Sequence, residues 1–140
     1  MKAFEASASI TAPAAAVWNV LTDAPGYSTW DSGVERIDGV IETGSTITVH
    51  SRAAPGRAFP VKVAIDVEHG IMTWTGGMPL GLFRGARTFT LTDAPTDGTE
   101  FSMREEFSGP LLGLIGRSIP DLGPSFRQFA AGLKARVEAG

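Results

Sequence analysis

Gly85-Ala86-Arg87-Thr88-Phe89-Thr90-Leu91 and Thr99-Glu100-Phe101-Ser102-Met103-Arg104-Glu105-Glu106-Phe107 both alternate apolar with polar residues, and the stretch between them, Asp93-Ala94-Pro95-Thr96-Asp97-Gly98, is turn chemistry. Period two on either side of a Pro/Asp/Gly cluster predicts an antiparallel hairpin. Setting Asp93 opposite Thr99 brings Leu91 to Phe101, Phe89 to Met103 and Arg87 to Glu105. The first two pairs mark the shared face as interior. Arg87 and Glu105 then meet inside, where isolated charges are strongly disfavoured and must pair, meet a ligand or reach water. A slip of one residue would send all four apolar side chains outward, so the alternation fixes the register.

The same periodicity extends upstream to Val34, with turn signals at short intervals, and predicts an antiparallel meander. Ile47 and Val49 alternate with threonines, residues 53–58 break the run, and Val61, Val63, Ile65 and Val67 resume it. His69-Gly70 resembles a two-residue Asn-Gly hairpin turn and predicts Val67 opposite Met72 and Ile65 opposite Trp74. Before the meander, residues 5–11 read as a first strand. A helix follows, with Thr11 as N-cap and Pro13 in its first turn, running to about Ala24 on an apolar stripe of Val17, Trp18, Val20 and Leu21. Residues 26–31 read as a loop carrying Tyr27 and Trp30.

Residues 76–85 are too apolar for a solvated loop and are expected to cover something, and residues 109–116 form a second apolar, glycine-rich segment. A final helix is expected over residues 121–138, with Leu122, Phe126, Phe129, Leu133 and Val137 as its apolar stripe. It is expected to lie across the concave face of the sheet.

At 140 residues the sequence reads as one domain, 1–140, able to bury about two-thirds of its unfolded surface. A formal net charge of −3 gives no basic footprint for nucleic acid, and no run approaches the ~20 apolar residues of a membrane span. The N-terminal residues have no apolar core of a signal peptide, so a cytoplasmic location is expected. The absence of cysteine excludes disulfides and thiolate chemistry, and two histidines leave no polyhistidine metal site. No cofactor is expected. His50 alternates away from Ile47 and Val49 and reads as solvent-facing, His69 reads as a turn residue, and Asp23 and Asp31 read as caps. Ser7, Ser9 and Ser118 lack a nucleophile elbow, and Gly76-Gly77 lacks the ending of a phosphate-binding loop.

Ile10-Thr11-Ala12-Pro13 followed by Val17-Trp18 and Leu21-Thr22-Asp23, Trp30 after the first helix, and Gly98-Thr99 leading to Glu105-Glu106-Phe107-Ser108-Gly109-Pro110-Leu111-Leu112 stand in an order that spans the chain. In this order the sequence resembles the helix-grip fold of the START and birch-pollen-allergen superfamily, or SRPBCC superfamily, in its polyketide cyclase/dehydrase-like branch. The resemblance implies an α+β fold, a curved antiparallel sheet wrapped around a long C-terminal helix. It further implies a hydrophobic cavity that takes lipids, sterols, polyketides or other apolar molecules. Members also include aromatase/cyclases, lipid carriers and activators of a heat-shock chaperone ATPase.

The inward set read from the residues is Val63, Ile65, Trp74, Phe89, Phe101, Met103, Phe126 and Phe129, which either line a pocket or pack as an ordinary core. With the resemblance, a pocket on the order of 300 Å³ or more is expected, its mouth framed by Trp30, Met78, Leu80 and Phe83. Arg87 and Glu105 are then either its polar anchor, orienting a carbonyl, hydroxyl or carboxylate, or a structural ion pair. The function expected first is binding of a small hydrophobic molecule. A cyclase/dehydratase acting through Glu105 as general base and Arg87 as enolate stabiliser is the alternative. A protein-interaction module, marked by an exposed apolar patch around Leu80 to Phe83, is the second.

Overall fold

The computed structural model describes residues 2–52, 54–95 and 97–140. Met1 lies outside the described residues, as do Ala53 and Thr96, each within an expected turn. Along the chain run β1 (Lys2–Ile10), α1 (Ala14–Leu21), a 3-10 turn (Ala24–Thr29), β2 (Val34–Asp38), β3 (Thr46–Ser51), β4 (Phe59–Asp66) and β5 (Ile71–Gly77). After a second 3-10 turn (Pro79–Gly81) come β6 (Arg84–Asp93), β7 (Thr99–Ser108), α2 (Leu112–Ile115), a third 3-10 turn (Gly116–Ser118) and α3 (Gly123–Ala139). The seven strands form one antiparallel sheet in the order β1-β7-β6-β5-β4-β3-β2. It is a meander from β2 to β7, with the first strand laid along the last. The curled sheet and long C-terminal helix make a helix-grip, α+β architecture.

The β6–β7 hairpin pairs Arg87 with Glu105, Phe89 with Met103, Leu91 with Phe101 and Asp93 with Thr99, the register expected from alternation. The β4–β5 hairpin departs from expectation: Met72 faces Ile65 and Trp74 faces Val63. The Asp66 carboxylate takes the His69 amide at 3.2 Å and pairs with its ring Nδ1 at 2.7 Å. The turn therefore spans four residues, with the Gly70 amide donating to the Val67 carbonyl at 3.1 Å. Gly70 sits at φ 69°, and any side chain there would collide with the Leu91 carbonyl. A shift of two keeps every side chain on its face, so Trp74 still points inward while Val67 is left exposed.

The first helix is shorter than expected. It starts at Ala14 with Pro13 in the N-cap position and no side-chain cap. Thr11 instead donates its amide to Glu138 Oε2 at 2.8 Å, tying the end of β1 to the last turn of α3. The same carboxylate takes Lys134 Nζ at 2.7 Å, and these bonds hold the Glu138 carboxyl below its ordinary value. At the other end Pro25 lacks the amide that a continued α ladder needs, so a new 3-10 turn begins where a loop was expected. That turn carries Tyr27 into the core, fully buried.

α3 presents Phe126, Phe129, Leu133 and Val137, all buried, to the inner face of the sheet, where Phe89, Phe101 and Met103 are buried as well. Phe129 sits 5.7 Å from Phe89 and stacks on Phe101 at 6.2 Å between ring centroids. Trp74 is 3% exposed and meets Phe89 edge to face at 4.8 Å and Tyr27 at 6.1 Å. Removing the indole deletes contacts on several sides. Trp74→Ala is expected to destabilise the fold by about 3–5 kcal/mol in urea denaturation. A loss below about 1 kcal/mol, the size of a surface change, would place the indole outside the core.

Candidate functional site

On β3, β5 and β6 the inward row ends on a glycine or a serine, each time at the same end of the sheet. Along β5 it runs Met72, Trp74, Gly76; along β6 Leu91, Phe89, Arg87, Gly85; along β3 Ile47, Val49, Ser51. At the large end the sheet and α3 close on each other. At the small end they leave a cavity of about 440 Å³. Its wall is built by Val49, Val61, Trp74, Met103, Phe107, Phe126 and Phe129, and by Ile115, Ile119, Pro120 and Leu122 from the chain leading into α3. Arg57, Phe59, Gly77 and Ser118 are lining residues that are also exposed, so the mouth opens between the β3–β4 and β5–β6 connections and the segment before α3.

Of the side chains expected at the site, the structure brings Trp74, Phe83, Arg87, Met103, Glu105, Phe126 and Phe129 to this wall. Val63, Phe89 and Phe101 are buried in the core and Ile65 packs half-buried against it, none of them lining the cavity. The expected mouth is corrected for three of its four residues. Trp30 lies across Tyr27 and Phe129, at 5.4 and 5.2 Å between ring centroids, and lines a separate groove beside α3. Met78 is exposed and Leu80 is 96% exposed, because the 3-10 turn Pro79–Gly81 carries them away from the opening.

Arg87 Nε–H donates to Glu105 Oε1 at 2.7 Å, and the guanidinium carbon stands 4.8 Å above the Phe126 ring. The two side chains keep 21% and 14% of their surface exposed, enough to meet what enters the cavity. A charge-assisted hydrogen bond and a cation on a ring face both favour this placement. Among the described residues Arg87 hydrogen-bonds through Nε, which leaves its terminal nitrogens as further donors. Nearby, the Tyr27 hydroxyl donates to the Leu21 carbonyl at 2.6 Å. Burial pushes its phenol far above the ordinary value, against the smaller downward pull of Arg87, and keeps it neutral. The indole nitrogens of Trp30 and Trp74 are buried with no hydrogen-bond partner among the described residues.

Several wall residues were not anticipated. Phe107 shares the inward parity of Phe101, Met103 and Glu105, and alternation alone could have found it. Ser32, 3% exposed, donates to the Tyr27 carbonyl at 2.7 Å and accepts the Val34 amide at 3.0 Å. Its segment has no periodicity to betray it. Ser32, Ser125, Ile119 and Leu122 reach the cavity only through tertiary packing. The remaining polar candidates are engaged elsewhere: His50 Nε2 with Asp38 at 2.9 Å, Ser9 with Glu100 at 2.6 Å, and Asp31 with Gln128 at 2.7 Å. No cluster of metal-ligating side chains occurs among the described residues.

A family model described as polyketide cyclase/dehydrase and lipid transport matches residues 1–138. No curated protein matches the chain. Among solved structures, a hypothetical protein from Helicobacter pylori superposes with a TM-score of 0.77 at 13% identity, over 97% of this chain and 88% of that one. The Zhui aromatase/cyclase from Streptomyces sp. R1128 gives 0.72 at 15% identity, over 98% and 93%. A START superfamily protein from Mycobacterium smegmatis gives 0.71 at 13% identity, over 98% and 97%. At these identities the likeness is one of fold.

The ion pair lies between the fully buried and the exposed regimes, which sets the size of its effect on stability. Glu105→Gln keeps the shape but leaves Arg87 without a full counter-charge, and is expected to cost about 1–3 kcal/mol in chemical denaturation. An unchanged midpoint would show that the cavity is wet enough to solvate Arg87 unaided.

Proposed function

We propose that this chain, which belongs to the polyketide cyclase/dehydrase and lipid transport family, reversibly binds a small, mainly apolar molecule carrying one acceptor oxygen. The observation that carries this reading is the Arg87–Glu105 pair on the wall of the 440 Å³ cavity. Among the described lining residues the only other charge is Arg57, at the mouth. The volume suits a small-molecule site, and the apolar wall supplies affinity that does not depend on orientation. Orientation comes from Arg87. An occupant displaces water from the guanidinium, and only an acceptor oxygen replaces the bonds that are lost.

A cyclase or dehydratase working through Glu105 is the second reading, favoured by a carboxylate on the wall. Glu105 Oε1 is, however, already committed to Arg87 Nε at 2.7 Å. An oxygen held by the guanidinium is not free to reach a substrate proton, so binding ranks ahead of proton abstraction.

Mass spectrometry of small molecules retained by the native protein is expected to find an amphipathic compound with a carbonyl, hydroxyl or carboxyl group. With defined probes, Arg87→Met is expected to weaken 2-naphthoate about tenfold or more, the loss of one charge-assisted hydrogen bond, while leaving naphthalene within about twofold. Equal loss for both probes would remove Arg87 as an anchor.

A further inference from the structure

Among the described residues, five of the seven large apolar side chains left exposed are Phe59, Met78, Leu80, Leu82 and Leu114, all at the mouth end of the sheet. Val40 and Val67 are at the far end. The β5–β6 connection, which carries Met78, Leu80 and Leu82, is tied to its neighbours at two points. The Leu111 amide donates to the Leu82 carbonyl at 2.9 Å, and Phe83 stacks on Phe107 at 5.9 Å. This locks the β5–β6 connection to the end of β7 and to the chain before α2. At its tip Leu80 is held at φ 61°, a conformation unfavourable for leucine, yet it is 96% exposed and gains no packing in return.

Charge is divided in the same sense. At the mouth end stand Lys2, Arg52, Arg57, Arg84, Arg117 and Arg127, against Glu35, Glu106 and Asp121. Lys2 Nζ donates to the Gly116 and Ile119 carbonyls at 3.3 and 3.4 Å, which puts it on either side of Arg117 in sequence. The far end gathers carboxylates, including Asp38, Asp66, Glu68, Asp93, Asp97 and Glu100. Of its cations, Arg36 is tied to Asp38 at 3.3 Å and Lys134 to Glu138 at 2.7 Å, and Arg136 stands in the last turn of α3. The net charge of −3 thus conceals a positive, apolar end and an acidic one.

We propose that the mouth end docks on an anionic lipid bilayer, with Leu80 and Leu82 at interfacial depth and Arg84 and Arg117 among the headgroups. Exposed apolar side chains and an excess of cations at one end satisfy both requirements of a peripheral membrane surface, and the acidic end orients away from it. A symmetric second copy is disfavoured, since mouth-to-mouth contact would bring two cationic ends together. A projecting tip also suits a fluid surface, which needs no matching groove. The proposal stands apart from what the cavity holds.

The chain has no cysteine, so a single introduced one can be labelled cleanly. Leu80→Cys carrying an environment-sensitive nitrobenzoxadiazole dye is expected to brighten and shift to the blue with vesicles of equal phosphatidylcholine and phosphatidylglycerol. No response is expected with phosphatidylcholine alone, and raised salt should reverse the effect. Val67→Cys, labelled in the same way at the far end, should not respond. Unlabelled protein should sediment with the anionic vesicles, and the double variant Arg84→Glu/Arg117→Glu should lower its partition at least about tenfold. Failure of the unlabelled protein to sediment, an equal response at Val67, indifference to charge reversal, or a Leu80 signal that follows protein concentration without vesicles would each overturn the proposal. The last of these would assign the surface to a second copy.

Discussion

One long helix, helped by the short α1 with Val17, Trp18 and Leu21, has to cover the inner face of seven strands, and this constraint organises the molecule. α3 supplies a single stripe, Phe126, Phe129, Leu133 and Val137, and can meet only as much of the sheet as the inward side chains reach across to fill. Where those side chains are Phe89, Leu91, Phe101 and Met72 the gap closes to a core with no exposed residue. Where they are Ser51, Gly76 and Gly85 nothing bridges it. Core and cavity are therefore two ends of one packing gradient rather than separate devices, and Trp74 and Phe129 belong to both.

Arg87 and Glu105 stand where the gradient turns. One step deeper on β6 is Phe89, fully buried, where the same pair would face the whole desolvation cost of two ions. One step shallower is Gly85, beside the opening. At the boundary the guanidinium has three kinds of neighbour, the Glu105 carboxylate, the Phe126 ring and the cavity itself. Its energetics consequently depend on what fills that space. Water leaves the pair screened, whereas an apolar occupant lowers the local dielectric and strengthens both the pairing and the demand of the unused donors. On the binding function proposed above, selectivity for an acceptor oxygen would arise from the cost of leaving Arg87 dry.

How much of this was legible follows from which interactions are local. The β6–β7 register was readable because each inward position repeats a signal, Leu91 with Phe101 and Phe89 with Met103, so that parity is overdetermined. The β4–β5 register failed by two because parity says nothing about even shifts; the Asp66–His69 contacts that widen the turn lie in side-chain geometry. The same contacts hold the Asp66 carboxyl below its ordinary value, the hydrogen bond from His69 contributing most. Thr11 looked like a cap because cap propensity is a local rule, and a long-range bond to Glu138 overrode it. The mouth was misplaced because residues 76–85 carry composition without periodicity. Composition shows that such a segment is apolar, but not which way Leu80 points.

The empty end of the gradient has a backbone cause. A side chain at Gly76 would come within 2.8 Å of the Pro60 carbonyl, so β4 and β5 approach there as closely as they do only because the position is glycine. Curl of the sheet and absence of a side chain are one requirement at Gly76. Gly85 differs: what a methyl group there would meet is the Phe107 ring at 3.2 Å and Glu105 Oε2 at 3.6 Å, side chains rather than backbone. The first glycine belongs to the shape of the sheet, the second to the space around the carboxylate. A cavity built this way cannot be filled from β5 without opening the β4–β5 contact, whereas from β6 it can be narrowed at the polar pair alone. Of the two glycines, Gly85 is accordingly the one where a small side chain would meet other side chains rather than backbone.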